Sequence, residues 1–243
     1  MFINNINPVF FSIFGLEVRY YGLVYVIGFL LILYILNKQK DKLSLTKDDV
    51  YDYVFYLIIF TVIGARIFEI IFYEPLFYFS NPLQMLMIWK GGLSFHGAFT
   101  GIVIWTYMFT KKKKLHFYDI SDILVIPIAF MLFLGRITNF INGELVGKVS
   151  NLPWSVKFKN YEGFRHPTQI YEALKNLLIF FILNLNKGLK KGRLTWLFIF
   201  LYGLFRFLIE FYKEQTSFMF GLPVTQVLTG LMIIVGFWYL IKK

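Results

Sequence analysis

Seven long apolar stretches divide this chain, and each is close to the roughly 20 mostly apolar residues that a helix needs to cross a bilayer. They lie at about Tyr20–Leu36, Tyr51–Tyr73, Leu93–Thr110, Asp119–Gly135, Thr168–Asn186, Arg193–Tyr212 and Gly221–Ile241. Inside hydrocarbon every backbone polar group needs a partner, which helices supply within themselves. The sequence therefore predicts an all-α polytopic membrane protein with about seven transmembrane helices, forming a single membrane-embedded domain over residues 1–243.

The composition agrees with a bilayer as the solvent, because 58% of the residues are hydrophobic and only 16% are charged. Soluble domains carry about 25% charged residues. The net charge of +11 does not indicate a nucleic-acid partner, since the lysines lie between apolar stretches and not on one soluble face. The chain has no cysteine, so any thiol that reacts here must belong to a substrate.

Basic residues alternate between the two sides of the predicted membrane. They cluster after the first, third, fifth and seventh stretches, at Lys38, Lys40, Lys42, Lys47, Lys111–Lys114, Lys187, Lys190, Lys191, Arg193, Lys242 and Lys243. By the positive-inside rule, this alternation predicts an outer N-terminus and a cytoplasmic C-terminus. The segment Met1–Arg19 lacks the basic start and small-residue cleavage site of a signal peptide, so we expect it to be retained and to lie along the interface.

The longest connection, residues 136–167, falls on the outer side and breaks the charge pattern, since it carries five basic residues. It is also rich in Asn, Gly and Glu. Long polar loops on a rigid scaffold often carry binding residues. We therefore predict a small extracytoplasmic head region at residues 136–167.

Arginine is scarce here, with six Arg against 19 Lys. This favours Arg at positions where a planar fork binds phosphate or carboxylate. Arg66 and Arg206 lie inside apolar stretches, where an unpartnered charge costs about 2.5–3.5 kcal/mol. Tyr202, Arg206 and Glu210 are spaced to share one helical face. That face is compatible with a self-neutralising structural pair or with a lipid-phosphate site.

Other polar residues leave two interpretations open. Glu69, Asp122 and Glu172 lie within apolar stretches, where each could be a helix–helix hydrogen-bond partner or could line a polar cavity. His166 precedes Pro167 and could orient the loop or bind a head group. His96 lies in a glycine-containing segment, 91–98, where small residues permit close approach of a lipid head group. The three histidines are not spaced as metal ligands, so we expect no metal and no cofactor.

Several motifs, in order along nearly the whole chain, resemble one family. They are Tyr21-Gly22, the segment Gly91–Gly97, the segment Gly135–Gly147 (GRITNFINGELVG), the segment Arg165–Gln169 with Tyr171-Glu172, and Tyr202-Gly203 with Arg206 and Glu210. The chain resembles the prolipoprotein diacylglyceryl transferases. It differs from the usual family pattern at Thr138, Ala98 and Tyr20.

The resemblance implies a bacterial plasma-membrane enzyme that acts on phosphatidylglycerol. Such an enzyme moves diacylglycerol to the lipobox cysteine thiol of a prelipoprotein signal peptide, forming a thioether and releasing glycerol phosphate. A thiol needs a base or a positive field to become nucleophilic, and His96 could be that base. Arg136 and Arg206 would stabilise the departing phosphate.

The remaining family positions imply phosphatidylglycerol-binding residues. These are Tyr21, Arg136, Asn139, Asn142, Glu144, His166, Tyr202, Arg206 and Glu210. Three alternatives stay open from the residues alone: a polytopic transporter or channel, another phospholipid head-group transferase, and a scaffold with a structural charge network. A transporter would favour internal repeats or paired broken helices, which the sequence does not show.

Overall fold

The computed structural model describes residues 2–13, 16–214, 218–219 and 221–242. The chain divides into two compact units. The first unit contains Met1–Gly28 and Asp122–Lys243, and the second contains Phe29–Ser121. The prediction of one membrane-embedded domain over residues 1–243 stays a prediction.

Within the described ranges, seven long helices match the seven predicted stretches one to one. They are α1 (Tyr20–Gln39), α2 (Lys47–Phe68), α4 (Phe95–Lys112), α5 (Phe117–Asn142), α6 (Thr168–Leu185), α7 (Arg193–Ile209) and α8 (Val224–Ile241), while α3 (Pro75–Ser80) is a short helix between α2 and α4. The all-α polytopic fold is therefore confirmed.

Two of the seven helices are less apolar than the prediction assumed. Five segments are long and apolar enough to cross a membrane: Tyr20–Leu43, Lys47–Tyr73, Phe117–Asn142, Arg193–Tyr212 and Val224–Ile241. Helix α4 falls short because it carries His96 in its first turn and two lysines in its last turn. Helix α6 falls short because it carries buried polar residues, among them Glu172, Lys175 and Asn176.

Local capping explains where two of these helices begin. Thr46 and Asp49 form a reciprocal capping box at the start of α2, with N–O distances of 3.1 and 3.0 Å. At α7, the Asp122 carboxylate accepts hydrogen bonds from the backbone N–H groups of Gly192 (2.6 Å) and Thr195 (2.8 Å). Asp122 thus takes the helix-partner interpretation, because its carboxylate satisfies N–H groups that a helix start leaves unpaired.

In the second unit, α2 and α4 approach so closely that only glycine fits at their contact. A Cβ on Gly97 would collide with the backbone carbonyl of Gly64, and a Cβ on Gly101 would collide with that of Phe60. Small residues at such crossings allow close backbone packing in membrane helices. Gly97 therefore serves helix packing, whereas the sequence analysis assigned the glycines of this segment to lipid approach.

In the first unit, α5, α6 and α7 pack around one apolar core. Its buried members are Val125, Ile126, Ala129, Ile179, Leu183, Leu194 and Phe198. Helix α5 continues to Asn142, seven residues past the predicted end at Gly135, so the following loop begins at Gly143. This extension keeps Arg136 and Asn139 on a rigid helix.

Short strands accompany the helices. Strand β1 (Phe2–Asn4) pairs in parallel with β4 (Val156–Phe158), which pairs antiparallel with β5 (Phe164–Arg165). Strand β2 (Val9–Ile13) pairs antiparallel with β3 (Leu16–Arg19), and β6 (Phe218–Met219) pairs antiparallel with β7 (Leu222–Pro223). The N-terminal segment thus contributes strands, and β1 ties it to the loop after α5.

Candidate active site

The centre of the polar interior of the first unit is the carboxylate of Glu172 on α6, which is fully buried. Its Oε2 atom lies 2.6 Å from Lys175 Nζ and 4.0 Å from Arg136 Nε. Its Oε1 atom accepts hydrogen bonds from Arg206 and, at 3.0 Å, from Lys213 Nζ. One carboxylate therefore gathers cations from α5, α6, α7 and the segment after α7.

Arg206 also pairs with Glu210, with 2.9 Å between Nη2 and Oε2. This is the pair that their spacing of four residues predicted. We call the six residues the charge cluster: Arg136, Glu172, Lys175, Arg206, Glu210 and Lys213. Because Arg206 is shared between two carboxylates and Glu172 between four cations, the isolated self-neutralising pair is not what the structure shows.

Tyr202 lies against this cluster. Its phenol oxygen is hydrogen-bonded to Arg136, and the ammonium of Lys175 lies 3.9 Å from the centre of its ring. A cation over an aromatic face is stabilised by the ring quadrupole. Tyr202 therefore fixes two of the cations, and it stands where the sequence analysis expected a binding residue.

A network of amides adjoins the cluster through Arg136, whose Nη1 lies 3.4 Å from the Asn139 side-chain oxygen. The carboxylate of Glu144 accepts hydrogen bonds from Tyr21 (2.6 Å), Asn139 (2.9 Å) and Asn142 (3.2 Å). We call Tyr21, Asn139, Asn142 and Glu144 the amide network. Its donors and acceptors suit a ligand rich in hydroxyl groups, such as a glycerol head group.

The loop that carries Glu144 is fastened to α6. The side chain of Gln169 donates to the Glu144 carbonyl at 2.6 Å, and the Thr168 hydroxyl donates to the Leu145 carbonyl at 3.0 Å. A Cβ on Gly147 would lie 2.6 Å from Thr168 and 2.7 Å from His166, so this position has room only for glycine. Thr168 and Gln169 thus hold the loop in place.

Thr138, a departure from the family pattern, has a buried side chain on α5. Its hydroxyl donates to the Gly135 carbonyl one turn earlier at 2.6 Å. Its side chain is also hydrogen-bonded to Tyr21, so Thr138 contacts the amide network directly.

His166 lines a groove of about 550 Å³ together with Lys175 of the charge cluster. Leu174, Leu178 and Leu208 line the same groove from α6 and α7. Its Nδ1 is 3.1 Å from the Tyr171 hydroxyl, and its ring packs against Tyr212. Burial, and secondarily the charge of Lys148, lower the pKa of His166. The ring is therefore neutral at pH 7, and its contacts support the orienting interpretation.

The same physical cause acts on Lys213, at the edge of the cluster. Burial is the main cause that lowers the pKa of Lys213 to about 8; the charge of Glu172 opposes this shift, and the neighbouring arginines add to it. Lys213 therefore loses its charge within a pH range where enzymes are assayed.

His96 belongs to the second unit, in the first turn of α4. Ser94 caps that helix, accepting a hydrogen bond from the Gly97 N–H at 3.4 Å. The imidazole is exposed, and its Nδ1 is 3.1 Å from the Tyr73 hydroxyl. The Tyr73 contact orients the ring from a π-helical turn, Glu69–Tyr73, that follows α2.

Arg66, also in the second unit, is bound to oxygens of the protein itself. Its guanidinium donates to the carbonyls of Met85 (3.0 Å), Gly91 (2.7 Å) and Gly92 (2.8 Å), and also to the Gln84 carbonyl and the Tyr78 hydroxyl. All three of its nitrogens are thus engaged. Arg66 therefore fixes residues 84–92, the segment that leads to His96. The partners of this buried arginine are mainly backbone carbonyls.

Seven of the ten predicted site residues come together in the first unit, in the charge cluster and the amide network: Tyr21, Arg136, Asn139, Asn142, Glu144, Arg206 and Glu210. Tyr202 contacts them, His166 lines the groove, and His96 lies in the other unit. All of these assignments stay predictions as far as catalysis is concerned.

Sequence reasoning missed Lys175 and Lys213, neither of which it assigned to the site. The spacing of Lys175 three residues after Glu172 was the available signal, because two charged residues one turn apart inside an apolar helix indicate a pair. Over the ranges that the structure describes, no group of three His, Asp or Glu is arranged to hold a metal ion.

Comparison with known proteins gives consistent matches. A family model described as prolipoprotein diacylglyceryl transferase matches residues 8–242. A Geobacter sulfurreducens protein named phosphatidylglycerol–prolipoprotein diacylglyceryl transferase is 40% identical over 219 residues, covering 88% of this chain and 84% of that protein. Proteins of the same name from Rickettsia bellii and Rickettsia felis are 39% and 40% identical, covering 98% and 96% of this chain and 95% of each relative.

Proposed function

The chain belongs to the prolipoprotein diacylglyceryl transferase family, and we propose that its charge cluster and amide network form the phospholipid site of this transferase. The enzyme transfers the diacylglyceryl group from phosphatidylglycerol to a prelipoprotein thiol, with a thioether and glycerol phosphate as products. The observation that carries the site is the meeting of Arg136 and Arg206 at Glu172, beside the amide network.

The two arginines receive the phosphate in this proposal. They come from α5 and α7, and Glu172 orients both, so their donors are fixed before the lipid arrives. Pre-oriented donors in a low-dielectric site stabilise developing charge strongly. The glycerol hydroxyls of the head group lie against Asn139, Asn142 and Glu144, whose amides and carboxylate can donate and accept.

The acceptor is the cysteine thiol of the lipobox in a prelipoprotein signal peptide. His96 takes the thiol proton, since a thiol with a pKa near 8.5 is mostly protonated at pH 7. The sulfur attacks the diacylglyceryl carbon, the bond from that carbon to the bridging oxygen breaks, and the electron pair leaves with the phosphate. The family assignment favours this transfer over a transporter or a scaffold.

The direct test is transfer by the purified protein in detergent. Phosphatidylglycerol labelled in its acyl chains is mixed with a lipobox peptide, and peptide mass and label are followed. We expect a peptide heavier by one diacylglyceryl group, and none when the peptide cysteine is replaced by serine. Labelled fatty acid on the peptide without the glyceryl unit would overturn the proposed reaction.

Oxygen labelling tests which bond breaks. Phosphatidylglycerol with ¹⁸O between phosphorus and the diacylglyceryl carbon should give ¹⁸O in the glycerol phosphate. Attack at carbon needs a thiolate and stabilisation of a departing phosphate, which two arginines can supply. Label retained on the diacylglyceryl group would mean cleavage at phosphorus, and the role given to the arginines would then be wrong.

The protein is a multi-pass bacterial membrane protein, and its orientation is part of the proposal. The alternation of basic loops supports an outer N-terminus and a cytoplasmic C-terminus. This places phospholipid transfer on the outer side, where preproteins emerge. An epitope tag after Lys243 should resist protease in intact cells and be cut once they are opened. Cleavage of that tag in intact cells would reverse the orientation.

A further inference from the structure

The charge cluster holds more cations than carboxylates. Over the described part of the chain, Arg136, Lys175, Arg206 and Lys213 lie within 4.0 Å of Glu172, and Arg206 also contacts Glu210. The cluster thus has a surplus of two positive charges. Glu144 in the amide network makes no ion pair within 4.0 Å with these cations in the described ranges. Buried charge without compensation is costly, so this arrangement is suited to receiving an anion.

The surplus of two positive charges matches the charge of the departing glycerol phosphate better than that of phosphatidylglycerol. The phosphodiester of a phospholipid carries one negative charge, whereas a phosphate monoester carries nearly two at pH 7 because its second pKa is about 6. The fit therefore improves while the carbon–oxygen bond breaks. Interactions that strengthen toward the transition state raise kcat, while those equal in both states change only KM.

Lys175 differs from the arginines in what it can reach. Its side chain is only 2% exposed, compared with 15% for Arg206 and 20% for Arg136. Its ammonium is confined between Glu172 Oε2 at 2.6 Å and the ring of Tyr202. The arginines are the more accessible cations, and Lys175 is held against the carboxylate.

We propose that Lys175 is a positioning residue that balances the charge of Glu172 and so leaves the net positive charge of Arg136 and Arg206 available to the lipid phosphate. Glu172 can then orient the arginines without cancelling them. Without Lys175 the surplus falls from two to one, which still complements the phosphodiester but no longer complements the departing dianion. This inference rests on the proposed function and adds a residue to it.

The first experiment separates kcat from KM. Lys175→Met removes the charge and keeps a side chain of similar length. We expect kcat for transfer from phosphatidylglycerol to fall about tenfold or more, with KM within about twofold. Lys159→Met, which removes an exposed lysine of the same unit, is the matched control and should retain wild-type kinetics. Lys175→Gln makes the same charge change with a hydrogen-bonding side chain and replaces the Met variant if that one does not fold.

Charge rescue is the decisive measurement. Adding Glu172→Gln to Lys175→Met leaves three cations and one carboxylate, so the surplus returns to two. We expect the double variant to have a several-fold higher kcat than Lys175→Met alone. A purely structural role predicts the opposite, because the second substitution removes a further set of buried contacts.

Two results would overturn the inference: a wild-type kcat in Lys175→Met, or a double variant no faster than the single one. Failure of the proposed function looks different, since the wild-type protein itself would then transfer no diacylglyceryl group, and the inference would fall with it. Monodispersity in detergent shows whether each variant is folded before its kinetics are compared.

Discussion

Arg66 and Arg206 are both arginines inside apolar helices, but different groups satisfy their guanidinium charges. Arg66 donates to backbone carbonyls and to Tyr78, and no carboxylate contacts it in the described ranges. Arg206 is held by the carboxylates of Glu172 and Glu210. When backbone carbonyls accept hydrogen bonds from all the nitrogens of an arginine, as at Arg66, the residue has a structural role. Shared carboxylates orient an arginine in a cluster that still carries net positive charge, which makes it suited to a ligand.

Replacing Arg66 with lysine gives the largest effect that this comparison predicts. Arg66 donates to five backbone carbonyls, the fifth being that of Met87 at 3.5 Å. Lysine has only three donors, so at least two of these carbonyls lose their partner. Each unsatisfied buried carbonyl costs about 1–3 kcal/mol, so we expect a loss of at least about 2 kcal/mol in stability. Thermal denaturation in detergent should show a lower midpoint. A midpoint equal to wild type would show that this structural role is wrong.

Arg206→Lys should affect turnover and leave the fold intact. A lysine at 206 keeps the charge but loses the fork that reaches two carboxylates and a phosphate together. We expect at least about tenfold lower activity, or 1.4 kcal/mol, and the same for Arg136→Lys, with normal membrane insertion. Near-normal turnover in either variant would mean that the site requires charge alone.

The sequence predicts the helices far better than it predicts these partners. Apolar runs of about 20 residues mark all seven long helices, and a spacing of four residues predicts the Arg206–Glu210 pair. The partners of Arg66 are backbone carbonyls of residues 84–92, and a sequence carries no signal for which carbonyl points where. Arg206 meets Glu172, which lies 34 positions earlier in the sequence, through the packing of α6 on α7.

Asp122 and Lys175 are two further residues whose partners the sequence alone does not reveal. A carboxylate within an apolar stretch could face a helix end, a cation or a cavity, and only the position of α7 decides that Asp122 caps a helix start. Lys175 belongs to a residue type that this chain otherwise uses at its membrane borders. Its burial can be inferred only once Glu172, three residues earlier, is known to be buried and to require a cation as a partner.

His96→Gln tests the contribution of the second unit to the chemistry. Glutamine keeps a hydrogen-bonding side chain but cannot take up the thiol proton. We expect transfer to slow at pH 7 by about 10²-fold at most, the lower end for a general base, and to recover partly as the pH approaches the thiol pKa near 8.5. Rates are measured from pH 6.5 to 9. If the pH–rate profile keeps its wild-type shape, His96 has a structural role and the base lies elsewhere.

The smallest effect concerns Lys213, the cation that the segment after α7 contributes to the charge cluster. Burial, with a smaller contribution from Arg206 and Arg136, lowers the pKa of Lys213 to about 8 against the opposing charge of Glu172. A lysine loses its positive charge as the pH rises through its pKa, so the cluster surplus should fall above pH 8.

Thiol ionisation increases the rate over the same pH range and hides this loss of charge in a single pH–rate profile. Arginine stays charged throughout, so the ratio of Lys213→Arg to wild-type kcat should rise several-fold between pH 7 and pH 9, whatever its absolute value. The thiol term cancels in that ratio because both enzymes use the same peptide. A ratio that stays flat would show that the charge of Lys213 does not contribute to turnover, and would confine the electrostatic role to Arg136, Lys175 and Arg206.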